Sequence, residues 1–177
     1  MQKIEINQDI LESYLGLRIY KAFIQGAFIT FKSGLYISSL KLLLSAVDTM
    51  AFLVTGNNDS KDFKEWLNKY VDLSTVGINA DELWEHKNAL LHRTTLNSLK
   101  VGKDKIVRLF PSKESIESPR APLNNSKIYS IDKLWLALTE GFDKFIKDIE
   151  SNKELKRVIE SNWKKIVYDE PTILVKS

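Results

Sequence analysis

The segment from Asp81 to Thr95 carries more polar character than solubility asks of a helix, and it holds both histidines of the chain, His86 and His92. At about 100° per residue, Asp81, Glu85, Asn88 and His92 fall within roughly 60° of one another and form one polar strip. Leu83, Trp84, Leu90 and Leu91 lie opposite. Asn88 precedes His92 by one turn, so its amide is placed to orient the imidazole or to fix its tautomer. An oriented imidazole suits proton transfer near neutral pH. Arg93 follows the histidine about 100° around the helix, and Lys87 lies about 140° away on the apolar side. There the lysine stem can pack while its head reaches a carboxylate such as Asp48. An aspartate inside Ala46-Val-Asp-Thr-Met-Ala-Phe52 is costly to bury alone. Asp48 is therefore expected either to face water with Ser45 and Lys41 or to pair with Lys87 or His92.

The elements that must position these groups read as helices. Leu11, Tyr14, Leu15, Ile19 and Ala22 recur at helical steps and predict a first helix over about Gln8 to Phe28. A second, from about Leu35 to Leu53, is apolar on nearly every side. A third is short, capped by Asp59 or Ser60, and carries Phe63, Trp66, Leu67 and Tyr70. Asn79 with Glu82 makes a capping box that starts the helix of His92, which runs to about Leu96. Beyond it, β-branched residues on both sides of Gly102-Lys103-Asp104 predict a hairpin, and the proline-rich stretch from Pro111 to Asn125 predicts a loop. A long helix resumes at Ser130. Ser151 with Glu154 forms a second capping box, so a last helix follows to about Val167, and an extended tail begins after Pro171. The expected fold class is all-α. It is a single domain over 1–177, a bundle of about five or six helices, with a small β-hairpin and proline-rich insertion at about 98–126.

Composition narrows the functions. With 177 residues, 44% hydrophobic and 28% charged, the chain holds enough apolar content for one folded domain. Its 26 basic and 23 acidic residues leave a formal charge of +3, which permits nucleic-acid binding without requiring it. The absence of cysteine excludes disulfides, thiolate zinc sites and cysteine nucleophiles, and fits a reducing cytoplasm. Met1 to Asp9 lacks the apolar core of a secretion signal. The apolar stretch from Leu35 to Val54 is interrupted by Lys41, Asp48 and several hydroxyls, so it reads as a core helix and no membrane partner is expected.

No Gly-rich phosphate loop or Gly-x-Ser-x-Gly elbow is present. His86 and His92 point about 120° apart on one helix and match no ligand spacing, so neither metal nor other cofactor is expected. The four tryptophans read as core anchors. Lys144, Lys147, Lys156, Arg157, Lys164 and Lys165 are candidates for phosphate contact. They alternate with Asp143, Asp148, Glu150, Glu154 and Glu160, as on a solvated mixed-charge surface.

Lys87-Asn88-x-x-x-His92 resembles the signature of the HEPN superfamily, all-helical domains marked by an arginine, a polar residue often Asn, a few spacers and a histidine. The long apolar helices before the motif and the long helix after it are similar to HEPN organisation too. The resemblance implies a metal-independent endoribonuclease, usually a homodimer that brings two motifs together in a cleft, often in toxin or antiphage systems. RNA is then the partner. His92 would act as general base on a ribose 2′-hydroxyl or as general acid toward the leaving oxygen. Lys87 would stabilise phosphate charge, and Asn88 would orient His92 or bind the backbone. Arg93, Asp48 and Glu85 would support the site. The chain departs from the pattern at Lys87, where the family has arginine. Lysine offers a point charge in place of a planar fork. A second expectation therefore stands beside the first: a catalytically silent helical interaction module that engages a protein partner.

Overall fold

The computed structural model describes residues 14–93, 95–96, 100–101, 105–113 and 125–166. Helix α1 comprises an α-helical segment Tyr14–Ile19, a π turn Tyr20–Ile24 and a second α-helical segment Gln25–Lys32. The π turn has a packing consequence. Ile19 and Ile24 are five residues apart, about 140° on an ideal α-helix, yet both are buried because the wider turn brings them to one face. Helix α2, Tyr36–Thr55, ends at Gly56, whose left-handed backbone (φ 75°) returns its N–H to the Phe52 carbonyl. Helix α3 is Ser60–Tyr70, capped by the Asp59 carboxylate, which accepts from the N–H groups of Lys61 and Asp62. A 3₁₀ turn, Leu73–Val76, leads to α4, Ala80–Arg93. The capping box at its start is formed in full: Asn79 Oδ1 accepts from Glu82 N at 2.9 Å, and Glu82 Oε2 accepts from Asn79 N at 3.0 Å. Strands β1, Arg108–Ser112, and β2, Ser126–Ser130, precede α5, Ile131–Ser151, and α6, Lys153–Trp163.

The architecture is the expected all-α bundle with a small β insertion, and two of its details differ from expectation. The strands do not form a hairpin around Gly102–Asp104, which lies outside the described residues. They pair in parallel, Arg108 opposite Ser126 through Ser112 opposite Ser130. A parallel pair needs a crossover of about a dozen residues, and residues 113–125 separate the two strands. Of the proline-rich loop expected from Pro111 to Asn125, Pro111 and Ser112 belong to β1 and residues 114–124 lie outside the described residues. Pro111 sits within β1, which a two-stranded sheet tolerates because each strand has a free edge. The second difference is the cap of α6. Asn152 holds it, accepting from Glu154 N and Leu155 N, both at 3.1 Å. Ser151 remains in the last turn of α5 and donates its hydroxyl back to the carbonyls of Lys147 and Asp148.

Helix α2 lies at the centre, in contact with α1, α3, α4 and α6. Among the described residues it alone is long and apolar enough to cross a membrane, and half of that stretch is buried inside the bundle. Helix α5 closes the far side through Trp135, stacked on Phe31 at 4.9 Å, and through Phe142 and Phe145 against Trp66. Its Gly141 permits a close approach to Tyr70 and Val71. A Cβ there would lie 2.6 Å from Val71 Cγ2 and 3.3 Å from the Tyr70 carbonyl oxygen.

Candidate functional site

Helix α4 presents three different faces. The first looks toward α2 and α3 and carries Lys87, whose side chain is only 4% exposed. Its ammonium donates to Asp48 Oδ1 at 3.0 Å and sits 3.8 Å from the centre of the Trp84 ring and 5.1 Å from that of Phe63. Burying an ammonium without a partner is costly, and one carboxylate plus two aromatic faces offset that cost. Asp48 is 22% exposed. With Ser45, Thr49, Phe52, Asn58, Lys165 and Ile166 it lines a shallow recess of about 340 Å³ on the outer side of α2. The pairing of Asp48 with Lys87, one of the alternatives read from sequence, is the one formed.

The second face is solvent-facing. Asp81 and His92 are exposed and Asn88 is half-buried. Asp81 accepts from Lys64 Nζ at 3.0 Å. Among the described residues neither the Asn88 nor the His92 side chain has a hydrogen-bond partner, so the amide and the imidazole share a strip without being bonded to each other. His92 is accessible for proton transfer. Arg93 is the last residue of α4, and its side chain lies outside the described structure. Lys87 and His92 are thus not brought together. The helix turns the ammonium into the bundle and the imidazole out to water, as their spacing of five residues requires.

The third face packs beneath the β pair, and it was not legible in the sequence. Glu85, expected on the solvent strip beside His92, is buried and receives Lys100 Nζ at 3.1 Å. Glu82 is buried as well and binds Lys127 Nζ of β2 at 2.7 Å. His86 is 3% exposed. Its Nε2 lies 3.0 Å from the Tyr129 hydroxyl, with the two rings edge to face at 5.5 Å. Burial pushes the His86 imidazole down to about 4 and raises the Tyr129 phenol, so the bond joins two neutral groups at neutral pH. His86 Nδ1 has no partner among the described residues. Glu82, Glu85, His86 and Ala89 do follow helical spacing. A polar row of that kind reads as solvated until the strands that cover it are known.

The chemistry open to α4 follows from these placements. His92 is an accessible acid–base group without an orienting partner, Lys87 is a structural cation, and His86 with Tyr129 is a sealed neutral pair. Among the described residues no group of three or more His, Cys, Asp or Glu side chains is placed to hold a metal ion. Comparison of the chain with protein-family models, with curated proteins and with solved structures gave no match in any of the three. The class defined by fold and site is therefore an all-α bundle with a parallel β pair and one helix bearing an exposed histidine.

Proposed function

We propose that this chain is an RNA-binding helical bundle of HEPN type in which the lysine of the motif has become a core cation, so that it does not cleave RNA by a lysine-assisted mechanism. The observation that carries this reading is the 3.0 Å bond between Lys87 Nζ and Asp48 Oδ1, with the lysine side chain 4% exposed. An ammonium held there cannot neutralise a phosphate beside His92 without breaking a buried pair, which costs about 3–5 kcal/mol. What supports RNA as the partner is the Lys87-Asn88-x-x-x-His92 pattern on one helix of an all-α bundle.

A second reading, cytoplasmic metal-independent endoribonuclease activity in a homodimer, is favoured by one observation, the exposure of His92. In that case a second copy supplies the cation that Lys87 does not. Incubating the chain with labelled RNA in EDTA separates the two. Bound but uncleaved RNA is the expected result. Cleavage abolished by His92→Ala establishes the second reading, and failure of the chain to bind RNA at low salt defeats both.

A further inference from the structure

Lys64 of α3, Lys87 of α4, Lys100 in the segment after α4 and Lys127 of β2 are each tied to a carboxylate: Lys64 to Asp81, Lys87 to Asp48, Lys100 to Glu85 and Lys127 to Glu82. The cations of α6 are arranged differently. At that end of the bundle α1 and α6 border an open groove of about 810 Å³ with Arg18, Arg157 and Lys164 on its walls. Glu160 is the one acidic residue among the described lining residues. Among the described residues neither Arg157 nor Lys164 has an ion-pair partner, and both are exposed. Asp148, which the sequence places in the same mixed-charge pattern, is already taken by Lys69 at 2.7 Å and Tyr70 at 2.6 Å. The pattern that reads as a neutralised surface in sequence is therefore locally cationic in space.

Two features fix the chemistry this groove accepts. Arg157 and Lys164 are seven residues apart, about two helical turns or roughly 10 Å along one face, so they meet successive charges of a chain better than they converge on one ion. The Arg18 guanidinium lies 5.0 Å over the ring of Trp163, whose edge contact with Phe23 of the π turn, at 5.7 Å, holds the platform still. Trp163 itself is 6% exposed and offers no face for a base to stack on. A membrane surface is a poorer fit, because the exposed apolar residues Ile29, Leu35, Ile37 and Leu42 belong to the other end of α1 and the start of α2.

We infer that this groove binds the sugar–phosphate backbone of RNA through Arg157 and Lys164, without reading bases. The polymer is named on the strength of the RNA reading above; the groove by itself calls for a polyanion. Backbone contacts position a nucleic acid and carry no sequence information, so oligonucleotides of equal length and different sequence should bind alike.

The test is fluorescence anisotropy of labelled single-stranded RNA across a salt series, with the intact chain and with an Arg157→Gln/Lys164→Gln variant. Both positions are exposed, and an unchanged thermal transition confirms that the variant folds. Loss of two single-strand phosphate contacts should reduce the slope of log K against log salt by about 1.4. Glu160→Gln should tighten binding, an effect that damage to the fold does not produce. If the unmodified chain binds RNA and the double variant binds it equally well with the same slope, the groove assignment is overturned while the RNA reading survives. If the unmodified chain binds no RNA, both fall. Binding to phosphatidylserine vesicles in place of RNA, lost in the same variant, reassigns the groove to lipid headgroups and also overturns the inference.

Discussion

Lys87 Nζ and Asp48 Oδ1 stand 3.0 Å apart across the contact between α4 and α2. That bond commits the Lys87 ammonium to the core. Removing the carboxylate leaves a buried ammonium. Asp48→Ala should therefore destabilise the fold by about 3 kcal/mol in urea unfolding. Lys87→Met should restore most of the loss in the double variant, since the methionine fills the lysine stem's place without a charge. Additive losses in the two single variants would show that the groups do not interact.

His86 gives the chain a dependence on pH with a definite sign. Its ordinary value is 6.5, and in the fold it does not protonate until about 4. The unfolded chain therefore takes up a proton first. The stabilising effect is complete above about pH 6.5 and drains away as the pH falls to about 4, a loss of about 3 kcal/mol. His86→Gln should flatten the stability profile in that window. The Asp148 carboxyl, held low by Lys69 and Tyr70, adds its own loss below the ordinary carboxylate range. A profile that stays equally steep in His86→Gln would show that another group governs it.

Gly141 is a packing requirement of α5. A methyl group at that site meets Val71 Cγ2 at 2.6 Å, on a β-branched side chain that is stiff at χ1, and the Tyr70 carbonyl oxygen at 3.3 Å. Alanine normally gains about 1 kcal/mol over glycine inside a helix. Overpacking of about 1–3 kcal/mol should exceed that gain, so Gly141→Ala lowers the melting temperature. A rise would mean that α5 can move away from the segment after α3.

The junction of α5 and α6 offers a comparison between neighbours. Asn152→Ala removes the side chain that accepts from Glu154 N and Leu155 N and should cost about 1 kcal/mol. Ser151→Ala removes only hydroxyl bonds back to carbonyls already in the helix and should fall within about 0.5 kcal/mol of neutral. Equal losses would return the cap to Ser151.

Much of the fold can be read along the chain because its signals are local. Apolar spacing marks α1, α3 and α5, a nearly continuous apolar stretch marks α2, and Asn79 with Glu82 marks the start of α4 without reference to any other segment. The local pattern places the cap of α6 one residue early for the same kind of reason: Ser151 and Asn152 are both good cap residues, and only the length of α5 separates them.

The amino-acid order alone determined that α4 carries a polar strip opposite an apolar side and that His92 and Lys87 lie about 140° apart on it. Tertiary structure decided which faces meet water. Lys87 turns inward because Asp48 and the rings of Trp84 and Phe63 await it, Glu85 is paired with Lys100 and His86 is sealed against Tyr129 of β2, and Arg157 and Lys164 share one groove with Arg18 of α1. Periodicity fixes the angle of a side chain on its own helix. The free energy of burying or hydrating it depends on groups far away in sequence, which periodicity does not record.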